Sequence, residues 1–378
     1  MVRIHKLKPA AKSLVEACGP QTGALCTLNY LWFCDGRRKS LDDCGCSSTS
    51  CLIAMGQLRA VKLRVVTSPL LALWRRNKAE LVTNQRRRVA AGIVAYYPDG
   101  DLLNQILSSL RGQTDLVFLF CNSPLPPAVR EHARSFTPNA LLLGTEANVG
   151  LGAAYNQIIA AASAYGFEDI LLFDQDSSPP ASLVANLLQN IADLDRQGLR
   201  PGVIGPTPIH PDRHAYKIPY QSREAFPIHS SCRPVAFVIS SGSLIRVSAY
   251  SEIGPFREDF FIDGIDLEWC FRAQAIGYSC WVSDSVRMAH RLGTGLVRIP
   301  LLNMHLVRQP PNRIYTLIRN TLAMFRLPHV TFLWKARGFA TAFGHTVLQP
   351  FVTEDPRSML RMIARAWFDG SLGRLGPP

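Results

Sequence analysis

Two acidic clusters and one histidine carry the chemistry that residue type and spacing suggest in this 378-residue chain. The first follows an apolar run, Leu171-Leu172-Phe173-Asp174-Gln175-Asp176. Carboxylates two apart after a buried strand stand at the carboxyl edge of a sheet. There one can meet a bound nucleotide and the other a divalent cation, Mg2+ or Mn2+, bridging its phosphates, because hard cations prefer oxygen ligands. A solvated turn explains the same residues more plainly, since Asp is common in turns. The second cluster, Asp263, Asp266 and Glu268, lies between Phe260-Phe261 and Trp269. A helix starting near Asp266 would hold this charge at its N-terminus, where it is favoured; simple capping would also place Asp there. The third is His290, in Met288-Ala289-His290-Arg291-Leu292-Gly293. A lone histidine is more often a packed or surface residue than a ligand.

The elements that must position these residues begin at Val89. Val89–Tyr96 reads as a buried strand stopped by Pro98-Asp99-Gly100, and Leu102, Leu103, Ile106, Leu107 and Leu110 mark one face of a helix. Strands over 116–120, 140–143 and 170–173 alternate with a small-residue helix over 150–165, and Pro179-Pro180 opens a further helix. This alternation predicts an α/β fold with a mostly parallel sheet covered on both faces, and such sheets bind ligands at the carboxyl ends of their strands.

Composition narrows the function classes. Hydrophobic residues make up 47% and charged residues 18%, enough apolar content for a packed core. The net charge of +13 is unevenly spread: +11 over residues 1–88, −5 over 89–300 and +7 over 301–378. A basic patch for nucleic acid is not expected on an acidic middle, whereas a metal-assisted site for an anionic ligand is. The basic flanks suit anionic lipid headgroups. No secretory signal is visible, so reduced thiols and a cytoplasmic location are expected. Six of the ten cysteines fall before residue 89, and the C-x9-C-x-C-x4-C spacing of Cys34, Cys44, Cys46 and Cys51 lacks the paired knuckles of a zinc site. Residues 1–88 show little periodicity and read as a poorly ordered basic extension, or as translated sequence upstream of a true start such as Met55.

The order of the motifs adds a resemblance. Ala95-Tyr96-Tyr97-Pro98, Asn148 to Asn156, Asp174-Gln175-Asp176, Ser241 to Ile245, Gly254-Pro255-Phe256, Phe261 to Arg272, His290 to Gly293, Arg313 to Asn320 and Phe368 to Arg374 follow one another over about 290 residues. In this, residues 89–378 resemble the family 2 inverting glycosyltransferases of the GT-A fold, most closely the bacterial rhamnosyltransferase branch. The resemblance implies a Rossmann-like GT-A domain over 89–300 and a helical region over 301–378. It implies that Tyr96, Pro98, Asn122, Asn148, Gly150 and Asp174 bind the nucleotide-sugar. Asp176, with Asp174 and His290, would hold the divalent cation. Asp266 would be the catalytic base, and Glu268 and Trp269 would shape the acceptor side. The family usually has Thr-Tyr-Asn-Pro where this chain has Ala95-Tyr96-Tyr97-Pro98, and Asp-Asn where it has Cys121-Asn122. The implied donor is dTDP-L-rhamnose, and the implied acceptor a lipid-linked or cell-envelope glycan such as O-antigen. Transfer of galactofuranose, N-acetylglucosamine or mannose, nucleotidyl transfer, and a non-catalytic scaffold are the alternatives.

An inverting transfer needs a base for the acceptor hydroxyl and charge neutralisation on the departing diphosphate, and it needs no covalent intermediate. Near the C-terminus, Met359, Leu360, Ile363, Ala364 and Trp367 recur at helical spacing beside Arg357, Arg361 and Arg365. Such a helix either lies on an anionic membrane, on the inner face of the cytoplasmic membrane, or packs its apolar face onto the protein.

Overall fold

Alternating burial along the strands sorts their side chains into two cores. From the first strand, β1 (Val89–Ala95), Val89, Ala91, Ile93 and Ala95 enter one core, while Ala90 and Val94 enter the other. Val117 and Leu119 of β2 (Leu116–Cys121) join the first, and Phe118 and Phe120 the second. A strand buried on both faces reads as a continuous apolar run, and these two do. The structure, a computed structural model, describes residues 87–135, 140–209, 231–289, 296–299 and 304–378. The expected extension over 1–88, with Met55 and the first six cysteines, lies almost wholly outside the described residues.

Helix α1 (Gly100–Leu110) follows β1, capped by Asp99, whose carboxylate accepts from the amides of Asp101 and Leu102. Then come α2 (Pro127–Ser135), β3 (Ala140–Leu143), α3 (Leu151–Ala164), β4 (Asp169–Asp174) and α4 (Leu183–Arg196). Pro179-Pro180 precede α4 rather than opening it; the helix begins three residues later, where Leu183 N donates to Pro180 O at 3.0 Å. β5 (Pro201–Ile209), β6 (Cys232–Val235), β7 (Ser243–Arg246), α5 (Val247–Ile253), α6 (Ile265–Ala275) and β8 (Ser279–Ala289) complete the main sheet. Its order is β3-β2-β1-β4-β7-β5-β8-β6. β1 pairs in parallel with β2 and β4, β2 with β3, and β5 with β8, while β7 runs antiparallel between β4 and β5. The chain steps outward from β1 to β2 and β3, then returns to place β4 on β1's other side. That reversal makes the carboxyl ends of β1 and β4 the expected ligand crevice.

The hairpin β9 (Leu296–Ile299) and β10 (Met304–Val307) leads to three helices, α7 (Pro311–Met324), α8 (Phe332–Leu348) and α9 (Pro356–Leu372). Residues 86–378 form one unit, with Val330 and Trp334 reaching into a core of the sheet domain. For α9, part of the expected apolar face packs onto the protein, while Leu360 stays exposed. Met359, Ile363 and Ala366 are buried with Ile314, Tyr315 and Ile318 of α7. Arg365 lies over the Tyr315 ring at 4.8 Å and reaches Asp369 at 3.3 Å. Gly370 permits this seam, because a Cβ there would come within 2.8 Å of Leu322.

Candidate active site

Residues after β1, β2 and β4 meet at the crevice. Gln175 links two strand ends: Tyr96 N donates to its Oε1 at 2.6 Å, and its Nε2 donates to Tyr96 O at 3.0 Å. Tyr97 N donates to Ser123 Oγ at 2.7 Å. Tyr96 and Tyr97 are exposed and Pro98 is buried. Asn122, at the end of β2, meets Asn148: its Nδ2 donates to Asn148 Oδ1 at 3.1 Å, and its Oδ1 accepts from Val149 N at 2.8 Å. Asn148 Oδ1 also accepts from Gly150 N at 3.0 Å, which fixes the entry to α3. The structure therefore brings Tyr96, Asn122, Asn148 and Gly150 to one edge of the sheet.

Gly150 is where the second acidic segment docks. Its φ of +82° suits glycine, and a Cβ would come within 2.6 Å of both the Phe261 ring and Phe261 O. Leu151 N then donates to Phe261 O at 2.6 Å. The other side of this loop is held from α7. Asn320 Nδ2 donates to Phe260 O at 2.8 Å and Asp263 O at 2.7 Å, and fully buried Arg319 donates to Phe260 O at 3.1 Å. Arg313 donates twice to Asp263 Oδ1, at 2.7 and 3.1 Å, and Thr316 donates to Asp263 Oδ2. Gly264, at φ +79°, ends the loop and starts α6, placing half-buried Asp266 in its first turn.

Electrostatics couple the two clusters. Burial raises the Asp174 carboxyl to about 6, the Asp176 charge pushes it the same way, and Arg313 and the Tyr155 hydroxyl pull it down. Burial also raises Asp266; the amides of Leu267 and Ser240 oppose this, and the charge of Asp174 adds to it. Fully buried Tyr155 feels both carboxylates, its hydroxyl reaching Asp174 Oδ1 at 3.5 Å. Asp174 and Asp266 thus share one environment, across 92 residues of sequence.

Asp174 and Asp176 are carboxylates that would suit a divalent cation. Asp174 is half-buried and Asp176 exposed, and a cation held by them would offset the like charge that adds to burial in lifting Asp174. Asp263 is already occupied by Arg313 and Thr316. Among the described residues no group of three His, Cys, Asp or Glu side chains gathers, so oxygen atoms of the substrate would complete the coordination. His290 lies outside the described residues. Its predecessor Ala289 forms a bridge with Ser178, so β8 ends beside the acidic turn.

Glu268 and Trp269 fall elsewhere than expected. Both are 1% exposed. Glu268 receives Arg272 at 2.9 and 3.0 Å and lies 2.9 Å from His329 Nε2. Trp269 donates to Gly254 O at 2.9 Å and packs on Phe256 and Tyr250. They hold α6 in place from its inner side; direct contact with an acceptor is not open to them. Gln175, Tyr155 and Arg313 also reach this site; residue-type reasoning did not single them out, although each lies inside one of the ordered motifs.

No family model matches the chain. It is 26% identical over 295 residues to the dTDP-rhamnosyl transferase RfbF of Shigella flexneri, covering 76% of this chain and 97% of that protein. It is 22% identical over 301 residues to the N-acetylglucosaminyl-diphospho-decaprenol L-rhamnosyltransferase of Mycobacterium tuberculosis, covering 72% of this chain and 96% of that one. Among solved structures, GalNAc-T7 with UDP, GalNAc and Mn2+ superposes with a TM-score of 0.50 at 12% identity. That match takes in 77% of this chain and 57% of the other, and it speaks for the GT-A fold alone.

Proposed function

We propose that this chain, which belongs to the bacterial rhamnosyltransferase-type glycosyltransferases of the GT-A fold, moves L-rhamnose from dTDP-L-rhamnose to a lipid-linked glycan with inversion. The donor reading rests on the relative of 26% identity, a dTDP-rhamnosyl transferase that matches over nearly its whole length. The acceptor reading rests on the decaprenol-linked substrate in the name of the second relative. Such an acceptor would bring the enzyme to the inner face of the cytoplasmic membrane.

The observation that carries the mechanism is the shared environment of Asp174 and Asp266. Asp266 is the base: its carboxylate is made more basic by burial and by its acidic neighbour, and it takes the acceptor hydroxyl proton as that oxygen attacks the anomeric carbon. Asp174 and Asp176, with His290, would hold Mg2+ or Mn2+, which supplies charge neutralisation for the departing diphosphate. Tyr96, Pro98, Asn122, Asn148 and Gly150 receive the nucleotide at the crevice between β1 and β4, where Gln175 fixes the two strand ends. Arg313 keeps Asp263 neutralised beside this site and lowers the Asp174 carboxyl.

A donor screen tests the reading. Purified protein with Mn2+ should release dTDP from dTDP-L-rhamnose in preference to releasing nucleoside diphosphate from UDP- or GDP-sugars. Preference for a UDP- or GDP-sugar overturns the rhamnosyl assignment and leaves the fold intact.

A further inference from the structure

Helix α8 turns an uncharged aromatic face to solvent. At about 100° per residue, Phe332, Leu333, Phe339, Phe343 and Val347 fall with two alanines inside a sector of about 120°. All five large side chains are exposed, Phe332 at 83%, and Phe351 continues the row past the helix end at 84%. The opposite side of α8 is the one that packs. Ala342 is buried, Trp334 lies against Phe271 and Phe237, and a Cβ at Gly338 would come within 3.0 Å of Thr321 on α7. Large apolar side chains scattered singly on a surface are ordinary, but a continuous row of this kind marks a contact surface.

Charge identifies what the surface meets. α8 contains no Asp or Glu, and its two cations, Lys335 and Arg337, fall on opposite flanks of the apolar sector. Residues 325–378 hold seven Lys or Arg against three Asp or Glu. One of those acids, Asp369, is buried and hydrogen-bonded to Tyr315 and Arg365. Docked on a second copy of itself, this face would bring like charge against like. Against an anionic bilayer, the phenylalanines enter the headgroup boundary and the flanking cations meet the phosphates. The helix is 17 residues long, and none of the described helices is long and apolar enough to cross a membrane, so α8 would lie in the interface plane.

We infer that the exposed face of α8, continued by Phe351, is a monotopic docking surface for an anionic lipid bilayer. It deepens the proposed function, since a lipid-linked acceptor is presented at such a surface, but vesicle binding is scored without donor or acceptor and stands or falls alone. The full chain should float with phosphatidylglycerol-containing vesicles at low salt and much less with pure phosphatidylcholine. A Phe332→Asp, Phe343→Asp, Phe351→Asp triple variant should lose vesicle binding at least tenfold while its circular dichroism and its donor hydrolysis match the parent. In a separate Phe343→Trp variant, tryptophan emission should shift to the blue when those vesicles are added. Failure of the parent chain to float at low salt, or flotation of the triple variant at the parent level, overturns the proposal. So does a concentration-dependent dimer that the triple substitution abolishes, which would make the occupant a second copy.

Discussion

The two acidic segments of the site are held in opposite ways. Asp174 and Asp176 sit where a buried strand runs out, so the sheet itself delivers them to the crevice. The loop from Phe260 to Asp266 has no strand behind it. It is suspended between Gly150 and Leu151 on one side and Arg313, Thr316, Arg319 and Asn320 on the other, contacts that span 50 to 111 residues of chain. The difference teaches that the C-terminal helices hold the loop that carries Asp266, the proposed base, while the sheet holds Asp174 and Asp176.

Breaking the clamp should cost most. Arg319→Leu removes the donor to Gly376 O and one of the donors to Phe260 O, which keeps Asn320, in a fully buried place, and this should lower stability by about 1–3 kcal/mol. Chemical denaturation checks this, and transfer should slow even where the variant remains folded.

On the sheet side the effect is electrostatic and smaller. Asp174 is raised to about 6, above its unfolded value, so its contribution to stability is present at low pH and is lost as pH rises through 6. Without divalent cation, unfolding free energy should fall between pH 4 and 7, with roughly 1–2 kcal/mol of the fall due to Asp174. Asp176→Asn removes the like charge and should flatten that fall; an unchanged slope would uncouple the pair.

The smallest effect is expected at the junction of the strand ends. Gln175→Ala removes two hydrogen bonds to the exposed Tyr96 backbone, which water replaces, so stability should change by about 1 kcal/mol or less. The donor KM should rise more than kcat falls, because Tyr96 then loses its position at the crevice.

The same contrast explains what could be read from residue order. β1, β2, β3, β4, α1 and α3 follow local periodicity, and their observed bounds lie within a residue or two of expectation, whereas α2 (Pro127–Ser135) was not expected. Asp174 and Asp176 were legible because a strand end is a local feature. The clamp was not, because nothing near Asn320 signals Phe260. Glu268 and Trp269 look like acceptor-facing residues in sequence; only packing reveals Arg272, His329 and Phe256 around them. α8 and α9 make the point again at equal length, 17 residues each. The clearly amphipathic α9 buries Met359, Ile363 and Ala366 against α7 and leaves Leu360, Phe368 and Leu372 exposed, whereas the more uniformly apolar α8 buries Ala342 and leaves a broader apolar face exposed. Periodicity tells which face is apolar and not which surface it meets.

The central claim is that Asp266 removes the acceptor proton. Asp266→Asn keeps the size of the side chain and abolishes its basicity, so single-turnover transfer from dTDP-L-rhamnose should fall at least about 100-fold. Donor affinity, measured by calorimetry on the same preparation, should stay within about threefold, a difference of under 1 kcal/mol. Turnover near the parent rate with unchanged affinity would contradict the account and remove Asp266 from the chemistry.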